Sequence, residues 1–307
     1  VIIIGAGIAG SMARGFFSSL QPEIYEAKAD AASSHKAILR FRDPSIGLLL
    51  GVPLTKIHVT KAIWYDGHFV EPNPTVTNMY SRKVAKDIYK RSIGTIAPVD
   101  RFISREPIIP RGANVGYQLE RIEPGICYFS NGEEVEYDNC VSTIPLPVMA
   151  NAAGIKITGE AKSYPIYVMR FPVLPISEVY QTIYFPSGIF RTYRASLEAQ
   201  EFVIESQDGF PDELEIVTVL QLFALGMGDV GEPKKYEQSN GKIVELEPSL
   251  RKHIILELTD KFSVYSLGRY ATWRNITSDV LLDDLAKIAS MMKLPRVDRK
   301  YAMILEA

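Results

Sequence analysis

The chain opens on four consecutive β-branched positions, Val1-Ile2-Ile3-Ile4, that run directly into glycine. An apolar run without polar alternation is the pattern of a short strand buried on both faces. Residues 8–20 follow with small and apolar side chains at helical spacing and stop before Gln21-Pro22, after which Glu23-Ile24-Tyr25-Glu26 predicts a second strand. The chain therefore starts with a strand–turn–helix–strand unit. Regularity then fades. Residues 27–60 predict a loop-rich stretch of mixed charge, while Ile63-Trp64-Tyr65 and His68-Phe69-Val70 flank Asp66-Gly67 as a hairpin. Polar residues with apolar ones at helical intervals predict a surface helix over 76–93. Strands are predicted over 115–122, 125–130 and 134–137, and at Cys140–Ile144 before Pro145. The segment 164–225, rich in Tyr, Phe, Ile and Val between prolines, predicts a sheet domain rather than helices, and helical spacing returns over 276–292.

Composition narrows the class without fixing it. With 47% apolar and 23% charged residues in 307, the chain has the make-up of a globular protein with one large or two associated domains. A net charge of −2 gives no electrostatic footprint for nucleic acid or an anionic membrane. Nucleic acid stays open as a partner but is not indicated by charge. No apolar stretch reaches the roughly 18–20 residues that cross a bilayer, and the short N-terminal run lacks the basic flank of a signal peptide. Val1 falls inside a strand, so a few further residues are expected before it. Cys127 and Cys140 fit no metal or redox spacing and read as buried thiols, so a cytoplasmic setting and no metal are expected.

Candidate chemistry sits first in the turn. Gly5-X-Gly7-X-X-Gly10 follows a strand and opens a helix. The first glycine allows the tight turn, the second lets backbone approach a pyrophosphate, and the third lets helix and strand pack closely. The helix N-terminus at Ile8 and Ala9 offers free N–H groups to that pyrophosphate. Glu26 ends the second strand, next to Ala27, where a carboxylate can accept hydrogen bonds from ribose hydroxyls and disfavours a 2′-phosphate. Gly226-Met227-Gly228-Asp229-Val230-Gly231 repeats the spelling, but Glu232-Pro233-Lys234-Lys235 follows in place of an apolar helix, so it predicts a surface loop. A single dinucleotide site is expected.

That N-terminal fingerprint, the strand Tyr137-Asp138-Asn139-Cys140-Val141-Ser142-Thr143-Ile144, and Tyr265-Ser266-Leu267-Gly268-Arg269-Tyr270-Ala271-Thr272-Trp273 followed by Asn275 and Asp279 together resemble the FAD-dependent amine-oxidase-like superfamily, in particular the UDP-galactopyranose mutase-like flavoproteins. A weaker match is Tyr184-Phe185-Pro186 with Phe190-Arg191-Thr192-Tyr193-Arg194-Ala195-Ser196, similar to the mutases' substrate-domain strands. The resemblance implies an α/β fold in which a Rossmann-type FAD-binding domain is interrupted by a β-rich substrate domain. Its parts would be 1–60, 111–155 and 261–307 for the FAD domain, 61–110 as a partly helical insertion, and 156–260 for the β-rich substrate domain. FAD is the implied cofactor. Beyond the glycines, it implies cofactor contacts from Thr143, Gly268, Arg269, Trp273 and Asp279, backbone contact to adenine from Val115, and reach from Lys36 or Arg40, which serve equally well as plain surface charges. Arg269 also suits a surface salt bridge. The mutases' histidine loop is not recognisable in Ser34-His35-Lys36-Ala37-Ile38-Leu39-Arg40, and the length leaves little room for a sugar-gripping helical domain.

Four histidines in no nucleophile motif leave the chemistry to the flavin. Tyr184 and Tyr193 are substrate-contact candidates, although aromatics on alternating strand positions also suit sheet core. Arg191 and Arg194 face opposite sides of a strand, and Arg194 is the substrate-side choice, which favours an anionic substrate. Three readings follow. The first is an oxidoreductase of the amine-oxidase type that removes hydride from a CH–NH bond of a polar small-molecule or nucleotide-linked substrate. Phage-encoded members of the superfamily act on hypermodified thymidine in DNA, which brings in a modified-base-linked substrate. The second is a redox-neutral mutase, and the third a non-catalytic flavin-binding module.

Overall fold

The β-branched N-terminal run becomes β1 (Ile2–Ile4), wholly buried at the centre of a five-stranded parallel sheet. The computed structural model describes residues 1–29, 36–86, 93–110, 112–157, 161–174 and 178–293, so His35 lies outside the described residues. On one side of β1 lie β2 (Glu23–Glu26) and β6 (Ala113–Val115); on the other lie β10 (Cys140–Ser142) and β16 (Val264–Ser266). Alternation of side chains divides the sheet's two faces. Ile3, Ile24, Val141 and Tyr265 pack under α1 (Ile8–Phe16) and α8 (Val280–Lys293). Ile2, Tyr25, Cys140 and Val264 pack instead with α4 (Leu146–Ala152), α6 (Pro248–Phe262) and the small sheet β7 (Leu119–Glu123), β8 (Ile126–Phe129) and β9 (Glu134–Glu136). Cys127 and Cys140 are both free and buried there, and burial pushes the Cys140 thiol upward. Strand order reverses at β1, so the carboxyl ends of β1 and β10 open a crevice of the kind in which such sheets bind ligands.

A second sheet has eight strands. Its main order is β15 (Lys234–Ile243), β11 (Ser163–Pro172), β14 (Glu201–Ser206), β13 (Thr192–Glu198), β12 (Tyr180–Tyr184), β3 (Thr55–Tyr65) and β4 (His68–Phe69), with β5 (Val99–Ile103) also paired to β3. The β3–β4 hairpin turns at Asp66 and Gly67, with φ of 53° and 78°, as their sequence predicts. One sheet face is apolar and closes under α5 (Glu213–Gln221). The opposite face is partly covered by α3 (Pro74–Ala85) and carries charged side chains. Among the described residues, no helix is long and apolar enough to cross a membrane.

Four sequence expectations need correction. The segment 164–225 is not all sheet, because Asp212 caps α5 by accepting from Glu215 N. The β-rich stretch 156–260 likewise holds α6, whose start is fixed by Glu247 accepting from Leu250 N and by Pro248 in the first turn. The helix near 76–93 is not a plain surface element, since α3 buries Val76, Tyr80, Ser81 and Val84. The stretch 27–60 contains α2 (Ser45–Leu50) and the first half of β3. The second glycine-rich spelling does form a short 3₁₀ turn, with Gly226 N bonded to Asp229 Oδ2 at 2.7 Å.

Lys83 ties α3 to the β12–β13 connection. Its Nζ donates to the carbonyls of Phe185, Ser187 and Thr192 at 2.9, 2.6 and 2.7 Å. Lys83→Met keeps the stem but strands three part-buried acceptors, so unfolding in urea should show a loss of about 2–3 kcal/mol. A midpoint unchanged from the parent would contradict this anchoring role.

Candidate functional site

The turn after β1 is built on close backbone approach. Gly5 has φ +97°, and a Cβ there would sit 2.5 Å from Thr143 Oγ1. Thr143 donates that hydroxyl to Ile4 O and Gly5 O at 3.1 and 2.9 Å, joining the ends of β1 and β10. At Gly10 a Cβ would lie 1.9 Å from Gly5 O, so only glycine lets α1 pack on the turn. Gly7 differs: nothing lies within 4 Å of its Cβ position. The open space fronts the α1 N-terminus, where the N–H groups of Ile8, Ala9 and Gly10 precede any intrahelical acceptor and the first turn holds no acid. Glu26 braces the turn from below, its Oε2 accepting from Ala6 N at 2.8 Å. Val115 pairs in register with Glu26 and is exposed, as is Ala27, so a ledge continues along the carboxyl edge of the sheet.

The C-terminal motif closes on this turn. Gly268, at φ +91°, packs so that a Cβ would lie 2.9 Å from Ala9 Cβ. The next residue, Arg269, donates from Nη2 to Asn275 Oδ1 at 2.8 Å, while its buried Nε has no hydrogen-bond partner among the described residues. Burial holds this guanidinium below its ordinary range. Arg269 is therefore not a surface salt bridge. Other buried polar atoms without a partner among the described residues include Ser11 Oγ on α1, Ser142 Oγ and Ser266 Oγ in register at the ends of β10 and β16, and Asp279 Oδ1 just before α8. Asp279 also faces Arg42 at 3.8 Å. Orphaned buried groups are rare in folded proteins, and Arg269 Nε, next to the Gly268 that meets Ala9, is one of them. Trp273 lies elsewhere: its indole is buried in the core, and Nε1 donates to Val244 O at 2.8 Å.

Strand register assembles the charged face of the large sheet. Arg194 lies opposite Glu205 and binds it in a fork, Nε to Oε1 at 3.0 Å and Nη2 to Oε2 at 2.8 Å. Tyr193 donates its hydroxyl to the same carboxylate at 2.6 Å, and Lys242 Nζ stands 4.6 Å from the Tyr193 ring centre. Burial works against ionisation of Glu205, but Arg194 and Lys242 outweigh it and hold the carboxyl below its ordinary range. Burial likewise opposes the Arg194 charge, and Glu205 more than restores it. Arg194 and Tyr193 also fall within the electrostatic surroundings of Arg269. Tyr193 is wholly buried behind Glu205, whereas Tyr184 is part-exposed, edge-on to Tyr80 at 5.4 Å. Arg191 leaves on the other side, donating to Phe210 O at 2.9 Å. Arg40 reaches the sheet face rather than the turn, pairing with Glu198 and donating to Thr182 Oγ1 at 2.7 Å. Lys36 stands over the Tyr236 ring at 5.2 Å, and its carbonyl accepts from Arg170 Nη1 at 2.8 Å.

Sequence reasoning did not find Glu205 or Lys242. In β14, Glu205 follows Val203 on the same face, and a carboxylate after the apolar run Phe202-Val203-Ile204 is the signal that marks it.

No family model and no curated protein matches the chain in sequence. Solved structures do match its shape. A reduced UDP-galactopyranose mutase aligns over 96% of this chain and 94% of its own, with a TM-score of 0.69 and 15% identity. An oxidoreductase from Methanosarcina mazei aligns over 94% and 99%, with a TM-score of 0.58 and 8% identity. The 2,6-dihydroxypyridine-3-hydroxylase from Arthrobacter nicotinovorans aligns over 98% and 86%, with a TM-score of 0.51 and 12% identity. The chain has the fold of the UDP-galactopyranose mutase-like flavoproteins: a Rossmann-type unit interrupted by a second, β-rich unit.

Proposed function

We propose that the chain is an FAD-dependent enzyme of the oxidoreductase type, acting on a CH–NH bond of an anionic small-molecule or nucleotide-linked substrate. The observation that carries this reading is the close approach of Gly268 to Ala9, where a Cβ would meet Ala9 Cβ at 2.9 Å, which sets the Gly268-Arg269 pair beside the glycine turn. FAD suits the crevice because the space at Gly7 and the free N–H groups behind it fit a pyrophosphate, and Glu26 below the turn fits ribose hydroxyls. Arg269, next to Gly268, supplies a buried Nε without a partner among the described residues for the remainder of the cofactor. When bound, the flavin ring supplies the hydride acceptor.

The protein's part is orientation. Arg194, fixed in its fork by Glu205, presents a charged edge to an anionic group such as a carboxylate or phosphate. Tyr184, from the adjacent strand, offers a wall beside it. With the pair locked in its ionised form on both sides, it serves as a fixed counter-charge and not as a proton shuttle. Oxidation of an unprotonated amine needs no further base from the protein.

A second reading, redox-neutral rearrangement of a nucleotide sugar, is favoured by the likeness to the mutase over nearly the full length of both chains. Purified protein should be yellow, with a flavin spectrum released on denaturation. Anaerobic titration with N-substituted amino acids and aminoacyl nucleosides should bleach the flavin without added reductant. Turnover of UDP-galactopyranose only after dithionite reduction, without net electron consumption, would establish the mutase reading instead. Failure to retain or rebind flavin would overturn both.

A further inference from the structure

Like charges meet on the charged face of the large sheet, beyond the Arg194–Glu205 pair. Phe41 and Phe102 bond backbone to backbone in both directions, at 2.8 and 3.0 Å, as an antiparallel bridge. One residue further along each segment, that register sets Arg42 across from Arg101, a non-hydrogen-bonded position where side chains stand closest. On its other side Arg101 is opposite Ile57 of β3, and Lys61 follows on the same face of that strand. Lys61 is in turn opposite Thr182 of β12, beside Tyr184, whose partner in β13 is Arg194. Register thus gathers Arg42, Lys61 and Arg101 on the face that carries Tyr184 and Arg194.

These cations are short of counter-charge. Arg194 has Glu205 and Arg40 has Glu198, whereas the three share one carboxylate, Asp279, which faces Arg42 at 3.8 Å. Arg42 is the most exposed; Lys61 and Arg101 are part-buried and form no ion pair among the described residues. Their hydrogen bonds go to backbone instead, Lys61 Nζ to Thr95 O at 3.4 Å and Arg101 Nη1 to Asp100 O at 2.7 Å. Burial holds Lys61 below its ordinary range, and Arg101 and Arg42 add to the effect. Adjacent like charges destabilise a sheet, and a bound anion relieves them.

We propose that Arg42, Lys61 and Arg101 form an anion subsite for a phosphate-class dianion carried on the substrate, whose organic body lies toward Tyr184. The subsite rests on the reading of this sheet face as the substrate side, and it adds a second anionic group to the one that Arg194 meets. Two guanidiniums and an ammonium supply the several charged donors that a dianion's oxygens accept from.

The test is calorimetric titration of the flavin-loaded protein, whose nucleotide turn is filled, with phenyl phosphate, inorganic phosphate and phenol at fixed ionic strength. Phenyl phosphate should bind about fivefold more tightly than inorganic phosphate through its contact with Tyr184, and phenol should give no heat. Lys61→Met and Arg101→Met should each weaken phenyl phosphate about tenfold. Lys56→Met removes the same charge from the opposite face of β3, where Lys56 pairs with Asp100 at 2.7 Å, and should change affinity by less than about twofold. Should Arg101→Met fail to fold, Lys61→Met alone decides. If the protein holds no flavin, the cofactor reading fails by itself, and the same titration of Gly7→Ala, its turn blocked by a methyl group, still decides the subsite. Equal affinity for phenyl phosphate and inorganic phosphate would mark a free-phosphate site and overturn the assignment to a substrate. An affinity indifferent to Lys61→Met, an equal loss in Lys56→Met, or no heat from millimolar phenyl phosphate would overturn the subsite itself.

Discussion

Gly7→Ala should yield a folded protein that no longer holds flavin, while Gly10→Ala should fail to fold properly in the first place. The two residues are three apart in one motif, yet they face different things. Around Gly7 the Cβ position is empty to 4 Å, and the backbone, at φ −70° and ψ −171°, suits any residue. Alanine costs the apoprotein less than about 1 kcal/mol, chiefly as a poorer helix cap. The added methyl group enters the space assigned to the pyrophosphate, so flavin affinity should fall by about 100-fold, roughly 2.8 kcal/mol. At Gly10 the methyl group meets the Gly5 carbonyl at 1.9 Å, backbone against backbone. No side-chain rotation relieves that contact. Either α1 lifts from β1 or the turn distorts, at a cost at the upper end of overpacking, about 3 kcal/mol or more. Urea unfolding of the apoproteins and flavin titration of those that fold separate the two effects. If Gly7→Ala and Gly10→Ala lost stability equally, Gly7 would be a packing glycine and the cradle reading would fail.

The contrast also marks what the sequence could carry. Spacing alone located the turn, because strand, three glycines, helix and terminal acid are all local and each has a steric meaning that needs no partner from afar. The hairpin at Asp66-Gly67 was legible for the same reason. Helices α5 and α6 were not, although both carry start signals: Asp212 before Glu213, and Glu247 before Pro248. In α5 the β-branched run Ile216-Val217-Thr218-Val219 argues for a strand, and packing against the apolar face of the large sheet overrides it. The charged cluster was hidden by distance along the chain. Arg40 meets Glu198 across 158 residues, and Arg194 is 75 residues from Arg269, whose electrostatic surroundings it shares. A net charge of −2 summed over the whole chain says nothing of such a placement.

Glu205→Gln should be the most damaging single change on the charged sheet face, and its damage should depend on pH in a defined direction. The buried carboxylate accepts from part-exposed Arg194 and from buried Tyr193, and offsets Lys242. Glutamine keeps the shape but withdraws the charge, leaving the part-buried Arg194 guanidinium without its counter-charge, which costs about 3 kcal/mol. Because the folded protein holds this carboxyl below its ordinary value of 4.5, the parent's gain from it is fully present above that value. It is lost as pH falls through the lower folded value, since protonation then favours the unfolded chain. The difference in unfolding free energy between parent and Glu205→Gln should thus be constant from pH 8 to pH 5 and shrink below about pH 4. Substrate saturation should weaken as well, because Arg194 loses the fork that aims it. A double variant, Glu205→Gln with Arg194→Met, should recover much of the lost stability by removing the stranded cation, yet recover none of the binding. Recovery of both would mean that Arg194 is a structural ion pair and not the group that meets the substrate.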